Sequence, residues 1–364
     1  MTRRSFLLQV SAAGGISLRD YEPKSTLRVD EHPVPRAKFP VIDVHTHLFG
    51  LGRKTGAQDL AQIARWMDEC NLQTLLNLTG GNSETIPGIL KMMAPYGRKF
   101  LTGAEPVWER ANEPGYAQWQ ATELEKCKQE GARALKILKT LGLYLRDHGK
   151  LVKIDDPRFD QMWEAAGALG MPVLIHTSDP APFFLPIDRF NERYEELQNH
   201  PDWSFYGKDY PPKRELLEAR NRVIARHPKT TFIGLHVANM PEDLAQVGRW
   251  LDQYRNLNVE IAARIGELGR EPRTARKFFE RYQDRILFGT DATPNAGKEF
   301  PQQDLRPEMF RCYFRFLETE DEYFDYAPSS VPPQGRWRIY GIGLPDGILR
   351  KVYRENALRV LKLS

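Results

Sequence analysis

After residue 40 the chain alternates short β-rich apolar runs with longer stretches whose apolar residues recur at helical spacing. Eight runs stand out: VIDVHTH (41–47), QTLLNLTG (73–80), KFLTGAEPV (99–107), ARALKILK (132–139), PVLIHTSD (172–179), TTFIGLHVAN (230–239), NLNVEIAARI (256–265) and RILFGTDATP (285–294). Between several of them the spacing predicts amphipathic helices: DLAQIARWMDECN (59–71), DQMWEAAGALG (160–170), which stops at a glycine, and TARKFFERYQD (274–284). Eight strands alternating with helices predict an α/β fold whose parallel sheet closes into a (β/α)8 TIM barrel, one domain over residues 41–364. The competing architecture is an open doubly wound sheet, but no Gly-rich phosphate fingerprint follows the first run. Two connections are long, 180–229 after the fifth run and 295–347 after the eighth. Both are rich in aromatic residues and proline, which predicts ordered structure over the barrel mouth rather than disorder.

The first forty residues follow a different pattern. TRRSFLLQVSAAGG (2–15) places Arg3 and Arg4 before a short apolar stretch and small residues. Residues 1–19 are therefore expected to be a Tat-type export signal, a disordered basic tail being the alternative. Export to the periplasm or beyond is the corresponding expectation, against a cytoplasmic location if the tail is no signal. Residues 20–40, charged and Pro-rich, read as a linker or extended arm.

Composition adds exclusions. The 364 residues carry 52 Lys and Arg against 48 Asp and Glu, interspersed rather than in blocks, so no basic stripe points to nucleic acid. No segment reaches the roughly 18 uninterrupted apolar residues of a membrane span. Three scattered cysteines, Cys70, Cys127 and Cys312, argue against a disulfide framework and a thiolate zinc site. Nothing in the sequence specifies an interface between subunits, although barrels of this kind often self-associate.

The histidines carry the candidate chemistry. Residues two apart on a strand face one side, so His45 and His47 point together from the end of the first strand. His176 ends the fifth run, His236 the sixth, and Asp291 the eighth. Four of the eight histidines thus fall at strand ends that a barrel gathers on one face, its catalytic face. The other four, His32, His148, His200 and His227, fall in expected loops, linkers or helix ends. Each residue alone has an ordinary structural explanation: a core histidine, or a turn-capping aspartate. Together, neutral imidazoles and a carboxylate suit Zn²⁺ or a related divalent ion, which would lower the pKa of a bound water toward about 7.

In this order on successive strands, His-x-His, His, His and Asp resemble the amidohydrolase superfamily. They are closest to its amidohydrolase-related branch, with aminocarboxymuconate-semialdehyde decarboxylase, aromatic-acid decarboxylases and pyrone or lactone hydrolases. RILFGTDATP and the terminal VYRENALRVLKL are similar to that branch's last strand and closing helix. The resemblance implies that His45, His47, His176 and Asp291 hold one divalent ion, zinc first and manganese second. It implies that His236 polarises substrate or serves as acid and base, and that Asp291 also shuttles a proton. Many superfamily members carry a carboxylated lysine on the fourth strand that bridges two ions. Here Lys136 and Lys139 lie three apart, so a regular strand would turn them to opposite sides. Lys136 is the expected inward residue, either as a carbamate that admits a second ion or as an ammonium that binds a substrate carboxylate.

Arg264 and Glu267, after the seventh run, fall on the expected face, and Arg264 is the candidate for an acidic substrate. Arg189 and Arg193 lie in the first long connection, where Arg193 is expected to pair at the surface with the ERYEEL segment. Phe183, Phe184, Trp203 and Tyr206 either wall a pocket for a flat ring or form that connection's own small core. The function expected first is a metal-dependent hydrolase of a C–O or C–N bond in a small cyclic or acidic substrate. A non-hydrolytic decarboxylase on the same scaffold is the alternative, and a catalytically silent ligand-binding barrel a distant third.

Overall fold

A computed structural model of the chain describes residues 16–17, 20–49, 56–207, 209–297 and 300–363. Most of the expected export signal, its twin arginines included, lies outside these residues. Each of the eight apolar runs contains a strand: β1 (Val41–Thr46), β2 (Leu72–Asn77), β3 (Phe100–Thr102), β4 (Leu135–Ile137), β5 (Val173–Ile175), β6 (Phe232–Gly234), β7 (Leu257–Glu260) and β8 (Ile286–Leu287). The strands are short because each run goes on past its ladder into a loop at the C-terminal end. The three predicted helices form at Ala57–Cys70, Asp160–Ala168 and Pro272–Arg281.

All eight strands are parallel to their neighbours, in two sheets: β1-β2-β3 and β8-β7-β6-β5-β4. The expected single closed sheet is not seen; at each seam the ladder reduces to an isolated parallel bridge, Thr46 to Ala292 and Ala104 to Leu135. The physical reason is local: both bridges lie past the end of a short strand, Ala292 beyond β8, which has only two paired residues, and Ala104 beyond β3, which ends at Thr102. Backbone bonds still cross there, from Val44 N to Phe288 O (3.1 Å) and from Asp291 N to His45 O (2.8 Å). The buried carboxylate of Asp43 staples the same seam. It accepts from His45 N at 3.0 Å, Thr290 N at 3.2 Å and Thr290 Oγ1 at 2.5 Å.

Most of the core lies between strands and helices. A second apolar cluster joins Ile42, Val44, Leu174, Ile233 and Leu287 of the strands to Ala357, Val360 and Leu361 near the C-terminus. The terminal segment is helical, as expected, and Asn356 ties it to β8 through Nδ2 to Ile286 O at 2.8 Å.

Residues 20–40 form an extended arm that is tied to the domain, with His32 N donating to Asp321 Oδ2 at 2.8 Å and Lys38 N to Glu318 Oε1 at 3.1 Å. The first long connection holds the helices Tyr194–Asn199 and Lys213–Arg226, and the second holds Pro307–Glu318. They meet where Arg336 forks onto Glu195 at 2.7 and 2.8 Å. No helix among the described residues is long and apolar enough to cross a membrane.

Asp43→Ala strands three donors at the seam. It is expected to lower the free energy of unfolding by about 3 kcal/mol, seen as a lower urea midpoint with an unchanged slope. An unmoved midpoint would show that the seam does not need this staple.

Candidate metal centre

The C-terminal ends of the strands gather the polar residues. β1 ends in His45 and His47, whose Nε2 atoms lie 3.2 Å apart, so the two-residue spacing does place both rings on one point. Asp291, just past β8, brings Oδ1 to 3.1 Å from His45 Nε2 and 3.0 Å from His47 Nε2. Its Oδ2 accepts from Gln303 Nε2 of the second long connection. Asp291 sits at φ 65°, a left-handed conformation that turns its side chain back toward β1.

The loop after β6 is more unusual. His236, Val237, Ala238 and Asn239 all have positive φ, at 54°, 57°, 52° and 55°. Each such residue costs about 1–2 kcal/mol relative to the right-handed form, and a β-branched residue such as Val237 is a clear outlier there. Gly234 makes the turn feasible, since a Cβ at that position would lie 2.8 Å from that of Ala238. Strain of this kind persists where surrounding contacts over-determine it, and it concentrates at functional sites.

Those contacts are present. Glu260, fully buried at the end of β7, accepts from His236 N at 2.5 Å and from Ala262 N, and its Oε1 lies 3.3 Å from His45 Nδ1. His236 Nδ1 faces the carbonyl oxygen of Ala262 at 2.8 Å. That oxygen only accepts, so Nδ1 carries the proton and Nε2 of the neutral ring keeps its lone pair. Asn239 Oδ1 accepts from Thr177 N at 2.9 Å, linking the turn to the residue after His176.

The residues fit a divalent cation. His45, His47 and Asp291 offer ligand atoms within one small sphere, and so do His45, His236 and Glu260. His176 is the one expected ligand outside both sets. Its ring packs edge-on against His236 with centroids 4.5 Å apart, and its Nε2 lies 3.4 Å from Asp179 Oδ1, off the line of a hydrogen bond. His47 Nδ1, His176 Nε2 and His236 Nε2 are buried without hydrogen-bond partners, which is costly unless something absent from the protein chain satisfies them.

Electrostatics keep most of the rings neutral, as ligation requires. Burial drives His47 and His176 down to about 4, and His236 well below its ordinary value. Burial and Lys136 also pull His45 down, but Asp291 and Glu260 outweigh them and raise it. Burial opposes the charge of Asp291, yet His45 and His47 hold its carboxyl well below the usual range.

Lys136 faces inward as expected, fully buried with Nζ 3.0 Å from His45 Nε2, and burial lowers it to about 8. Lys139 departs from expectation. The strand stops at Ile137, alternation ends with it, and Lys139 turns into a cavity at the strand ends to pair with Asp179 at 2.5 Å. Arg264 lines this cavity of about 160 Å³ together with Lys139, His176, His236 and Asp291. It is buried, its Nη1 donates to Ala263 O at 2.7 Å, and its Nε has no partner. No carboxylate among the described residues lies within ion-pair distance of it.

Arg193 corrects the surface expectation. It does pair with Glu196, at 2.8 Å, but both are buried, and it also binds Glu267. Glu267 is therefore committed to that ion cluster. Phe183 and Trp203 line the cavity, whereas Phe184 packs on Phe205 and Tyr206 is exposed. Arg189 lies outside the centre, exposed beside Phe190. Glu260, Asp179 and Gln303 are not among the residues expected from the sequence. A lone acid within an apolar run, as in NVEIAARI, is a readable signal for Glu260; Gln303, in a long connection, leaves none.

Residues 107–363 match the family model described as amidohydrolase, and the chain belongs to that family. It is a metal-dependent enzyme of the amidohydrolase superfamily. No curated protein matches the chain. Among solved structures, 2,6-dihydroxybenzoate decarboxylase from Rhizobium is similar at 15% identity and TM-score 0.54, over 89% of this chain and 99% of that one. The 5-carboxyvanillate decarboxylase of Sphingomonas paucimobilis is similar at 13% identity and TM-score 0.52, over 90% and 100%. A dihydroxybenzoic acid decarboxylase from Polaromonas sp. JS666, solved with manganese and 2-nitroresorcinol, gives 14% identity and TM-score 0.54, over 89% and 97%. At these identities the likeness is one of fold.

Glu260→Gln keeps the shape of the side chain but removes its negative charge. Outer partners of metal-binding histidines are worth about 10–100-fold in affinity, so Mn²⁺ titration by calorimetry is expected to show a loss of that order. Unchanged affinity would rule out Glu260 as the group that holds His45.

Proposed function

We propose that the chain is a metal-dependent decarboxylase of a small, flat carboxylic acid. The observation that carries this reading is Arg264, a buried guanidinium without a carboxylate partner, facing the cavity beside the ligand cluster. Such a cation calls for an anionic substrate. The fold-level likeness to decarboxylases of 2,6-dihydroxybenzoate and 5-carboxyvanillate supports the same choice over the hydrolase expected first. In this reading the two parallel sheets together serve as the expected barrel, with the cavity at its C-terminal face.

His45, His47 and Asp291 hold one divalent ion in this proposal, and His176 completes the set with its unpartnered Nε2. Manganese, present in two of the similar structures, is the ion to load first, and zinc suits the same donors. When bound, the cation supplies a Lewis acid that neutralises and orients an anionic oxygen. Arg264 directs the substrate carboxylate, while Phe183 and Trp203 flank the ring. The lone pair on His236 Nε2 takes a proton from a substrate hydroxyl and returns it to the ring carbon. The bond from that carbon to the carboxylate breaks, CO₂ leaves, and the resulting phenolate recovers a proton from solvent. Each turnover thus consumes one proton.

A hydrolytic reading uses the same donors, and the sign of proton exchange separates the two. In weakly buffered, mildly acidic solution, decarboxylation takes up protons whereas hydrolysis of a lactone releases them. Mn²⁺-loaded protein with carboxyl-¹³C 2,6-dihydroxybenzoate or 5-carboxyvanillate is expected to release labelled CO₂ with proton uptake. Proton release from a lactone panel, without CO₂ from either acid, would overturn the decarboxylase in favour of the hydrolase.

Elemental mass spectrometry is expected to find one equivalent of metal, lost in the double variant His45→Ala/His176→Ala. Two equivalents would overturn the single-ion site and bring in either a carboxylated Lys136 or the second group of His45, His236 and Glu260. Arg264→Gln is expected to lower kcat/KM by about 10–100-fold, mostly through KM, as for a lost charge-assisted contact. Unaltered kinetics would remove Arg264 from substrate binding.

A further inference from the structure

Outside the cavity, the buried group with the least obvious reason to exist is Arg220. It lies on the helix Lys213–Arg226 with no exposure. Its polar partners are all neutral: Nη1 donates to Ala238 O at 2.5 Å, and Nε and Nη2 donate to Asn221 Oδ1 at 3.1 and 2.9 Å. The guanidinium also lies over the Trp250 ring, 4.7 Å from its centroid. Among the described residues no carboxylate is within ion-pair distance of it. A buried cation without an anion is expensive, and an apolar side chain of similar length would usually serve packing as well or better. Its position therefore asks for a further explanation.

Ala238 supplies one. Its carbonyl belongs to the left-handed turn His236–Asn239. A return of this turn to ordinary right-handed or extended geometry would reorient its peptides. The Ala238 carbonyl would swing away from Arg220, and the His236 ring would leave Ala262 O. Glu260 holds the first residue of the turn through His236 N. Arg220 holds the third through Ala238 O. Asn239 fixes the fourth through Thr177 N. Removing the Arg220 contact leaves the carbonyl without its charged donor and the strain without its counterweight.

We propose that Arg220 is a positioning residue for His236, holding the left-handed turn after β6 in the form that aims Nε2 into the cavity. It touches neither the ligand cluster nor the cavity. The inference rests on His236 acting in that cavity, as in the proposed function, but its primary readout does not depend on the reaction.

The test compares amide hydrogen exchange in the full-length, Mn²⁺-loaded protein and its Arg220→Met and Arg220→Lys variants. In Arg220→Met, exchange within residues 235–240 is expected to rise about tenfold or more, the scale of a lost charged hydrogen bond. Mn²⁺ affinity should stay as in the parent, because His45, His47 and Asp291 are untouched. Turnover should fall through kcat with little change in KM, and Arg220→Lys should restore part of both protection and turnover. If Arg220→Met does not fold, Arg220→Gln replaces it, with the same local loss expected because its amide is too short to span to Ala238. Exchange that is unchanged over 235–240, or raised equally throughout the core, would overturn the proposal. Failure of the decarboxylase reading would remove only the turnover measurement and leave the exchange result standing.

Discussion

One buried carboxylate, that of Glu260, joins three strand ends into a single centre. From the end of β7 it takes the backbone N–H of His236 after β6 and faces Nδ1 of His45 on β1. A third contact, from Ala262 N, fixes the carboxylate against its own chain. Hydrogen bonds to a charged group contribute about 1.5–3 kcal/mol each. Burying the carboxylate costs several kcal/mol in return. The two nearly offset, so the product of the arrangement is geometry more than stability. Nδ1 of His45 is held, which leaves Nε2 to face His47 and Asp291. Gly289 belongs to the same device, because a Cβ there would lie within van der Waals overlap of the Glu260 carboxylate.

This dependence explains which parts of the centre were legible in the sequence. The period of two along a strand placed His45 and His47 together, and strand-end positions brought Asp291 and His236 to them. The same period turned Lys136 inward. It failed at Lys139 because β4 ends at Ile137, so the residue that alternation sends outward enters the cavity from a turn. His176 reached the right region without joining the tight ligand group, since strand position fixes where a side chain starts and not where its ring nitrogen ends. The left-handed turn was not legible, because nothing in LHVAN carries the glycines that usually mark positive φ. Its conformation is imposed by Glu260, Arg220 and Asn239, all distant in sequence or acting through contacts no periodicity encodes.

The eight-fold alternation was legible as an element order, and all eight runs hold a strand. Continuity of the sheet was not. It depends on residue-level pairing at two seams, where β8 and β3 stop short and leave single bridges. Loose pairing there has a functional consequence: His45, Asp291 and Asp43 all sit at the seam between β1 and the segment after β8. A regular ladder would commit this backbone to uniform strand geometry. The irregular seam lets Asp291 adopt positive φ and return its carboxylate to β1.

The cavity wall has a different origin from its floor. The floor comes from strand ends, whereas Phe183, Arg193 and Trp203 come from the first long connection and Gln302, Gln303 and Gln334 from the second. The two connections brace each other. Trp203 and Phe300 stack with centroids 5.5 Å apart, and Arg336 forks onto Glu195. Arg193 lies 5.4 Å from the Trp337 ring while binding Glu196 and Glu267, so one buried cation links both connections to the loop after β7. A wall assembled from two braced connections can change shape only by altering both, whereas the ligand cluster beneath stays tied to the strands. In the proposed function, selectivity and chemistry are thereby carried by separable parts of the chain. Arg264 stands where they meet, on the loop after β7 and against the wall, and in the proposed function its guanidinium is the group that would first feel a change of substrate.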